Sequence, residues 1–362
     1  MKKYAALIIL ILMLLLSACG ETSGSLSHVD EGSRIVTDAI GRQVEIPEKV
    51  ERIACLYAFA GHVTVLLGEE EKIVAVVEGL KRDKLLTSFF PSILEKDVPF
   101  TDGTINVEEL ARLDPDVVFI RRSTIENQAE MSKLEAFDIP AIVIDSNTIA
   151  EQRKSAQVIA EVCGGQAKNK AEIYDDIYQR AIDTAESKAY RIDPEEKVSV
   201  YHSVNEATRT DMSGTLSAEW TALVGVENVS ADKELSAFEG KMYAGLEQIY
   251  TWDPEIIICN EPGVRDYMLN DEKWSELAAV TQKRVYQMPI AISRWGHPGS
   301  METPLAIYWL GKLAYPELYS DIDLEKETRD FYKAFFNYEL DDSEIASILS
   351  GEGMRLLKTQ PQ

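Results

Sequence analysis

The sequence predicts an α/β fold of two Rossmann-like lobes joined by a single long interdomain α-helix. Three observations carry that expectation. First, "NVEELARLDPDVVFI" (106–120) and "GLEQIYTWDPEIIIC" (245–259) share a turn or two of helix, an Asp-Pro stop and a β-branched strand. Proline cannot continue a helix, and an unbroken apolar run suits a strand buried on both faces. Second, "VLLGEEEKIVAV" (65–76) and "ALVGVENVSA" (222–231) repeat a helix end, a glycine cap and an extended segment. Two copies of one βαβ-type unit imply two lobes of similar build. Third, residues 167–190 hold neither Pro nor Gly, and Ile173, Ile177, Ala181 and Ala185 recur every fourth residue between charged ones. That pattern is an amphipathic helix of roughly 33 Å at about 1.5 Å per residue, enough to span a lobe.

The elements follow in order from the N-terminus. "MKKYAALIILILMLLLSACG" starts with Lys2 and Lys3 and continues in an uncharged apolar run from Ala5 to Leu16. Such a run is too short to cross a hydrocarbon core of roughly 30 Å, so residues 1–18 read as a lipoprotein signal peptide. The ending "LSAC" resembles the lipobox of bacterial lipoproteins. That resemblance implies cleavage before Cys19, lipidation of its thiol and an extracytoplasmic, membrane-anchored chain; each buried methylene adds about 0.8 kcal/mol to the anchor. Residues 19–34, with His28 among them, are small and polar and form a flexible tether. Then come an N-terminal lobe over 35–165, the linking helix over 166–190, and a C-terminal lobe with a helical tail over 191–362.

Composition excludes several functions. With 37 Lys and Arg against 61 Asp and Glu the net charge is −24, and removing the signal takes away two lysines to give −24 − 2 = −26. Nucleic acid is therefore not an expected partner, since duplex binding needs clustered basic residues. After Cys19 the cysteines are Cys55, Cys163 and Cys259, each in or beside an apolar run. So scattered a set offers neither a disulfide framework nor a CxxC metal site, and reads as small buried hydrophobes. GxSxG, HExxH, P-loop and GxGxxG patterns are absent, so no catalysis is expected.

Four stretches, read together, carry a family resemblance. "VTDAIGRQVEIPEKVERIACL" (36–56), "YAFAGHVTVLLG" (57–68), "TINVEELARLDPDVVFI" (104–120) and "ETRDFYKAFFNYELDDSEIASIL" (327–349) appear in that order behind a lipobox. The chain resembles the substrate-binding lipoproteins of ABC importers for iron-siderophores, haem and cobalamin. The resemblance implies a class III substrate-binding protein, expected as a monomer. It would capture a metal chelate (of iron or cobalt) and deliver it to a permease and its ATPase, with no intrinsic cofactor. It also implies permease docking through one carboxylate on each lobe, Glu108 in "NVEEL" and Glu247 in "GLEQI". Exposed pairs with arginine are individually weak, but two far apart fix orientation.

Candidate ligand residues sit at strand ends, where α/β sheets hold ligands. "SRWGHPGS" (293–300) follows a strand expected over 284–288 and precedes a helix expected from about Met301 to Ala314, with Ser300 as candidate N-cap. Its Arg294, Trp295 and His297 are candidates; the family resemblance places the aromatic against the ligand. His297 is either a ligand to metal or a hydrogen-bonding loop histidine. With His62 and His202 at corresponding regions of the two lobes, three histidines could converge on bare Zn²⁺ or Mn²⁺, the rival reading. A secreted metalloenzyme is a further alternative. Tyr57 and Phe59, Arg121 and Arg122, Tyr201, Arg209 and Met212, and Tyr243 and Arg265 complete the set. Aromatics supply flat apolar area, and arginines grip carboxylates or an anionic chelate.

Overall fold

The computed structural model describes residues 32–238 and 240–357. The signal peptide, Cys19 and most of the tether lie outside the described residues. An antiparallel hairpin, Ser33–Thr37 with Gln43–Pro47, opens the fold. Asp38 and Gly41 make its turn: the Asp38 carboxylate accepts from the N–H groups of Ile40 and Arg42, and Gly41 stands at φ 89°.

Two four-stranded parallel sheets follow, one per lobe, with the same strand order. In the first, Ile73–Ala75, Ile53–Cys55, Val117–Ile120 and Ala141–Val143 lie side by side. In the second the order is Glu227–Asn228, Ser199–Ser203, Ile256–Cys259 and Val285–Gln287. The Asp-Pro echo therefore marks one structural position twice, just before the third strand of each lobe in chain order. At both, the aspartate turns left-handed, Asp114 at φ 46° and Asp253 at φ 40°, which a short polar side chain tolerates and proline then closes. The second echo holds too, with Gly68 and Gly225 at φ 80° and 92° ending helices. Cys55, Cys163 and Cys259 are all buried free thiols.

The linking helix runs unbroken from Ala167 to Ala189, 23 residues. Its buried stripe is Ala167, Ala171, Tyr174, Tyr178, Ala181, Ala185 and Lys188. This corrects the expected stripe: Ile173 is exposed and Ile177 only partly buried. A strict four-residue repeat drifts around a helix of 3.6 residues per turn, whereas alternating steps of four and three keep one face inward. Tyr178 reaches into the N-terminal lobe, donating to Gln152 Oε1 at 2.9 Å.

The segment after the strand Val285–Gln287 runs as a loop to a helix over Thr303–Ala314. Glu302, not Ser300, takes the N-cap position; Ser300 Oγ instead accepts from the Glu302 N–H at 3.0 Å. The tail forms two helices, Leu324–Phe336 and Asp342–Ser350. Residues 351–357 then run back to the N-terminal lobe, where Asp83 and Arg355 form an antiparallel bridge.

Candidate functional site

The loop 291–300 lies where the two lobes meet, and a buried carboxylate holds it there. Glu302 is fully buried and accepts from the N–H groups of Ile292 at 3.1 Å and Ser293 at 2.8 Å, and from the hydroxyls of Ser293 and Tyr332. Burial raises its pKa while those donors pull the other way. Gly296 is forced: at φ 69°, a Cβ there would lie 2.7 Å from the Trp220 ring, whose Nε1–H donates to the Gly296 carbonyl at 3.0 Å. The N-terminal lobe clasps the same loop. Ser146 Oγ donates to the Pro298 carbonyl and is itself bonded to the Tyr57 hydroxyl, while Gln152 Nε2 donates to the Ser300 carbonyl at 3.1 Å.

From this loop a closed ring of polar contacts passes through both lobes. The Gly299 carbonyl accepts from His62 Nδ1 at 2.7 Å, and His62 Nε2 lies 3.3 Å from Asp83 Oδ2. Asp83 pairs with Arg355, whose Nε stands 4.0 Å from Glu261 Oε2. Glu261 accepts from Arg82 at 2.6 Å and from Arg294 at 2.7 Å. Arg294 Nη2 is 3.0 Å from His297 Nε2, and His297 Nδ1 accepts from the Gly299 N–H at 3.0 Å, closing the circuit.

Protonation in the ring follows from its partners. Burial lowers the His62 pKa to about 4, with the charges of Arg355 and Arg294 adding to the fall and the Gly299 carbonyl and Glu302 opposing it, so this ring is neutral at pH 7. His297 is neutral for the same reason. Burial, then the guanidiniums of Arg294 and Arg209, push its pKa well below 6.5, so it is neutral at pH 7. Nδ1 lies 3.0 Å from the Gly299 N–H and Nε2 lies 3.0 Å from Arg294 Nη2, yet a neutral ring has a single lone pair, so one of these two donors faces the ring N–H instead of an acceptor.

Further unmet groups surround this point. Arg209 is paired through its backbone with Tyr243, but its guanidinium has no hydrogen-bond or carboxylate partner among the described residues. His202 Nε2, Asn260 Nδ2 and Trp295 Nε1 are buried without hydrogen-bond partners among the described residues. His202 gives its other nitrogen to Asp211 at 2.6 Å. Arg82, Arg209, Arg294 and Arg355 thus gather among Asp83, Glu261, Asp211 and Glu302, four guanidiniums close together in a chain of net charge −24.

Several expected ligand residues are taken up by the core. Trp295, Phe59 and Tyr201 are 0% exposed, Trp295 beside the Arg294–His297 contact with its Nε1 unmet, and Tyr201 spends its hydroxyl on the Ala207 carbonyl. Arg122 is held by Asp145 at 2.6 Å and by Glu151 at 3.6 Å, and these carboxylates raise its pKa. Tyr243 donates to Glu206. Arg265 is engaged by the Val285 carbonyl and Glu352. Met212 and Arg121 are exposed. The three histidines form no shared metal set; among the described residues no group of three His, Cys, Asp or Glu is placed to hold a metal ion. Sequence reasoning missed Arg82, Asp83, Glu261 and Arg355. Glu261 stands at the end of the strand in "EIIICNE", a signal that was there to be read; Arg355 follows a tail helix and carried none.

Comparison with known proteins agrees with the fold. Residues 53–291 match the periplasmic binding protein family. The molybdate-binding protein MolA of Haemophilus influenzae is 28% identical over 350 residues, covering 89% of this chain and 95% of that one. Its molybdate-bound structure superposes with a TM-score of 0.76 at 24% identity, covering 85% of this chain and 99% of that one. The uncharacterized ABC transporter substrate-binding lipoprotein YvrC of Bacillus subtilis is 24% identical, covering 89% and 100%. A periplasmic solute binding protein from Veillonella parvula gives a TM-score of 0.75 at 26% identity, covering 89% and 100%. The chain belongs to the periplasmic binding protein family, as an extracytoplasmic substrate-binding protein of an ABC transporter.

The depressed pKa values of His297 and His62 together set a pH dependence. Unfolding restores ordinary values near 6.5, so below that pH the unfolded chain takes protons that the folded one refuses. The ligand-free protein is expected to lose stability as pH falls below about 6.5, and His297→Gln to flatten that part of the curve in chemical-denaturation series. An unchanged slope in the variant would show that His297 is not held neutral.

Proposed function

We propose that this member of the periplasmic binding protein family binds a small oxyanion, of the tetrahedral class that includes molybdate and tungstate, between Arg209, Arg294 and His297. The observation that carries this reading is the Arg294–His297 contact. With the ring proton placed on Nε2, a neutral N–H and a guanidinium would face each other across 3.0 Å, and an anionic oxygen entering there would accept from both. The guanidinium of Arg209, which no hydrogen bond or carboxylate holds among the described residues, supplies a further charge. The relative MolA, named for binding molybdate, supports the same class.

A metal chelate, the ligand that the iron-siderophore, haem and cobalamin resemblance implied, would meet the same donors if anionic. A macrocycle needs aromatic faces as well, and Trp295, Phe59 and Tyr201 present none. The oxyanion therefore fits better. In this reading the protein binds and releases its ligand unchanged, without catalysis. It is held at the membrane through Cys19 and delivers to a permease coupled to an ATPase. Glu108 and Glu247 are exposed and each is the second residue of its helix, Val107–Arg112 and Leu246–Trp252, so the two lobes offer equivalent carboxylates for docking.

Calorimetric titration with molybdate, tungstate, sulfate, ferric chelates, haem and cobalamins tests the ligand class. Saturable 1:1 binding of a tetrahedral oxyanion is expected, weakened about 30- to 100-fold by Arg294→Ala or Arg209→Ala, as for loss of one charge-assisted contact. Saturation by haem or a cobalamin with no response to any oxyanion would replace this assignment. Docking is tested separately. Glu108→Ala combined with Glu247→Ala should abolish uptake by cells and leave solution affinity unchanged; a lost affinity would place those carboxylates in the ligand site.

A further inference from the structure

The chain beyond the last helix crosses from one lobe to the other. It is pinned first in the C-terminal lobe. Gly351 stands at φ 66°, and a Cβ there would lie 2.5 Å from the Met288 carbonyl oxygen, so only glycine makes the turn. Glu352 then pairs with Arg265 at 3.0 Å. On the other side the Lys84 N–H donates to the Met354 carbonyl at 3.0 Å and the Leu356 N–H to the Arg82 carbonyl at 2.9 Å. Arg82 Nε returns the contact, donating to the Leu356 carbonyl at 2.9 Å.

Between those backbone contacts the strap turns one side chain inward. Arg355 is buried, pairs with Asp83, and brings its Nε, a buried donor without a hydrogen-bond partner, to 4.0 Å from Glu261. Glu261 is the carboxylate that also holds Arg294. A charge near Glu261 decides how tightly that carboxylate keeps Arg294, and so how much of Arg294 remains for a ligand.

We propose that Arg355, carried in by the strap 351–357, is a specificity-determining positioning residue of the anion site. It shares Glu261 with Arg82 and Arg294, which leaves Arg294 free to turn toward a ligand, and its charge favours doubly over singly charged anions. The proposal rests on the oxyanion reading. Its physical basis is that Coulomb energy scales with ligand charge, so one lost cation penalises a dianion about twice as much as a monoanion in free energy. A residue that only held the fold together would weaken both alike.

The test uses tungstate and perrhenate, tetrahedral anions of similar size that carry two charges and one. Affinities of both are measured by calorimetry at low ionic strength for the full chain, Arg355→Gln, Arg355→Lys and a chain ending at Ser350. Arg355→Gln and the shortened chain are expected to lose about tenfold for tungstate and about threefold for perrhenate, with Arg355→Lys restoring the ratio. Equal losses for both anions, or none, would overturn the proposal while leaving the oxyanion reading intact. A full chain that binds neither anion removes the oxyanion reading and this proposal with it.

Discussion

Most of the site depends on one constraint, the closed polar ring that joins Gly299, His62, Asp83, Arg355, Glu261, Arg294 and His297. Buried charges are costly unless each meets an opposite charge or a hydrogen bond, and the ring meets that demand by setting Asp83 and Glu261 against guanidiniums. Asp83 lies between His62 and Arg355, and Glu261 between Arg82, Arg355 and Arg294. Its members come from both lobes and from the C-terminal strap, so separating the lobes would break several of these contacts together. No carboxylate lies between Arg294 and His297 among the described contacts, and it is there that the proposed anion would enter.

The rest of the fold brings the ring's members to one place. The two sheets have equal strand order, and the ends of their strands supply Tyr57 and Ser146 from one lobe and Ser203, Asn260 and Glu261 from the other. The linking helix, packed along its alanine and tyrosine stripe, keeps the two sets facing. Glu302 gathers the loop 291–300 so that His297 and Gly299 point back into the junction. The acidic exterior confers solubility, and the guanidiniums gathered at the junction are the charges that the proposed anion would meet.

The architecture was legible because its signals are local and repeated. Asp-Pro stops, glycine caps and a helix without Pro or Gly each leave a mark within a few residues, and finding them twice gave two lobes and a link. The position of Arg294 and His297 on a Gly- and Pro-rich loop after a strand was legible for the same reason. What the strand-end rule misjudged was direction. Trp295, Phe59 and Tyr201 stand at strand ends or just past them, yet aromatics lose more by facing an unfilled junction than by packing inward, and all three are buried. Arg355 and Asp83 were not legible at all, because their partnership spans 272 residues and rests on where the tail returns.

The central claim is that His297 is neutral, protonated on Nε2, and waits beside Arg294 for an anionic oxygen. Nitrogen-15 shifts of the His297 ring at pH 7, recorded before and after addition of tungstate, test it most directly. A neutral Nε2–H tautomer whose Nε2 signal moves on saturation is the predicted result. An imidazolium or Nδ1–H tautomer in the free protein, or a ring that ignores bound tungstate, would contradict the account.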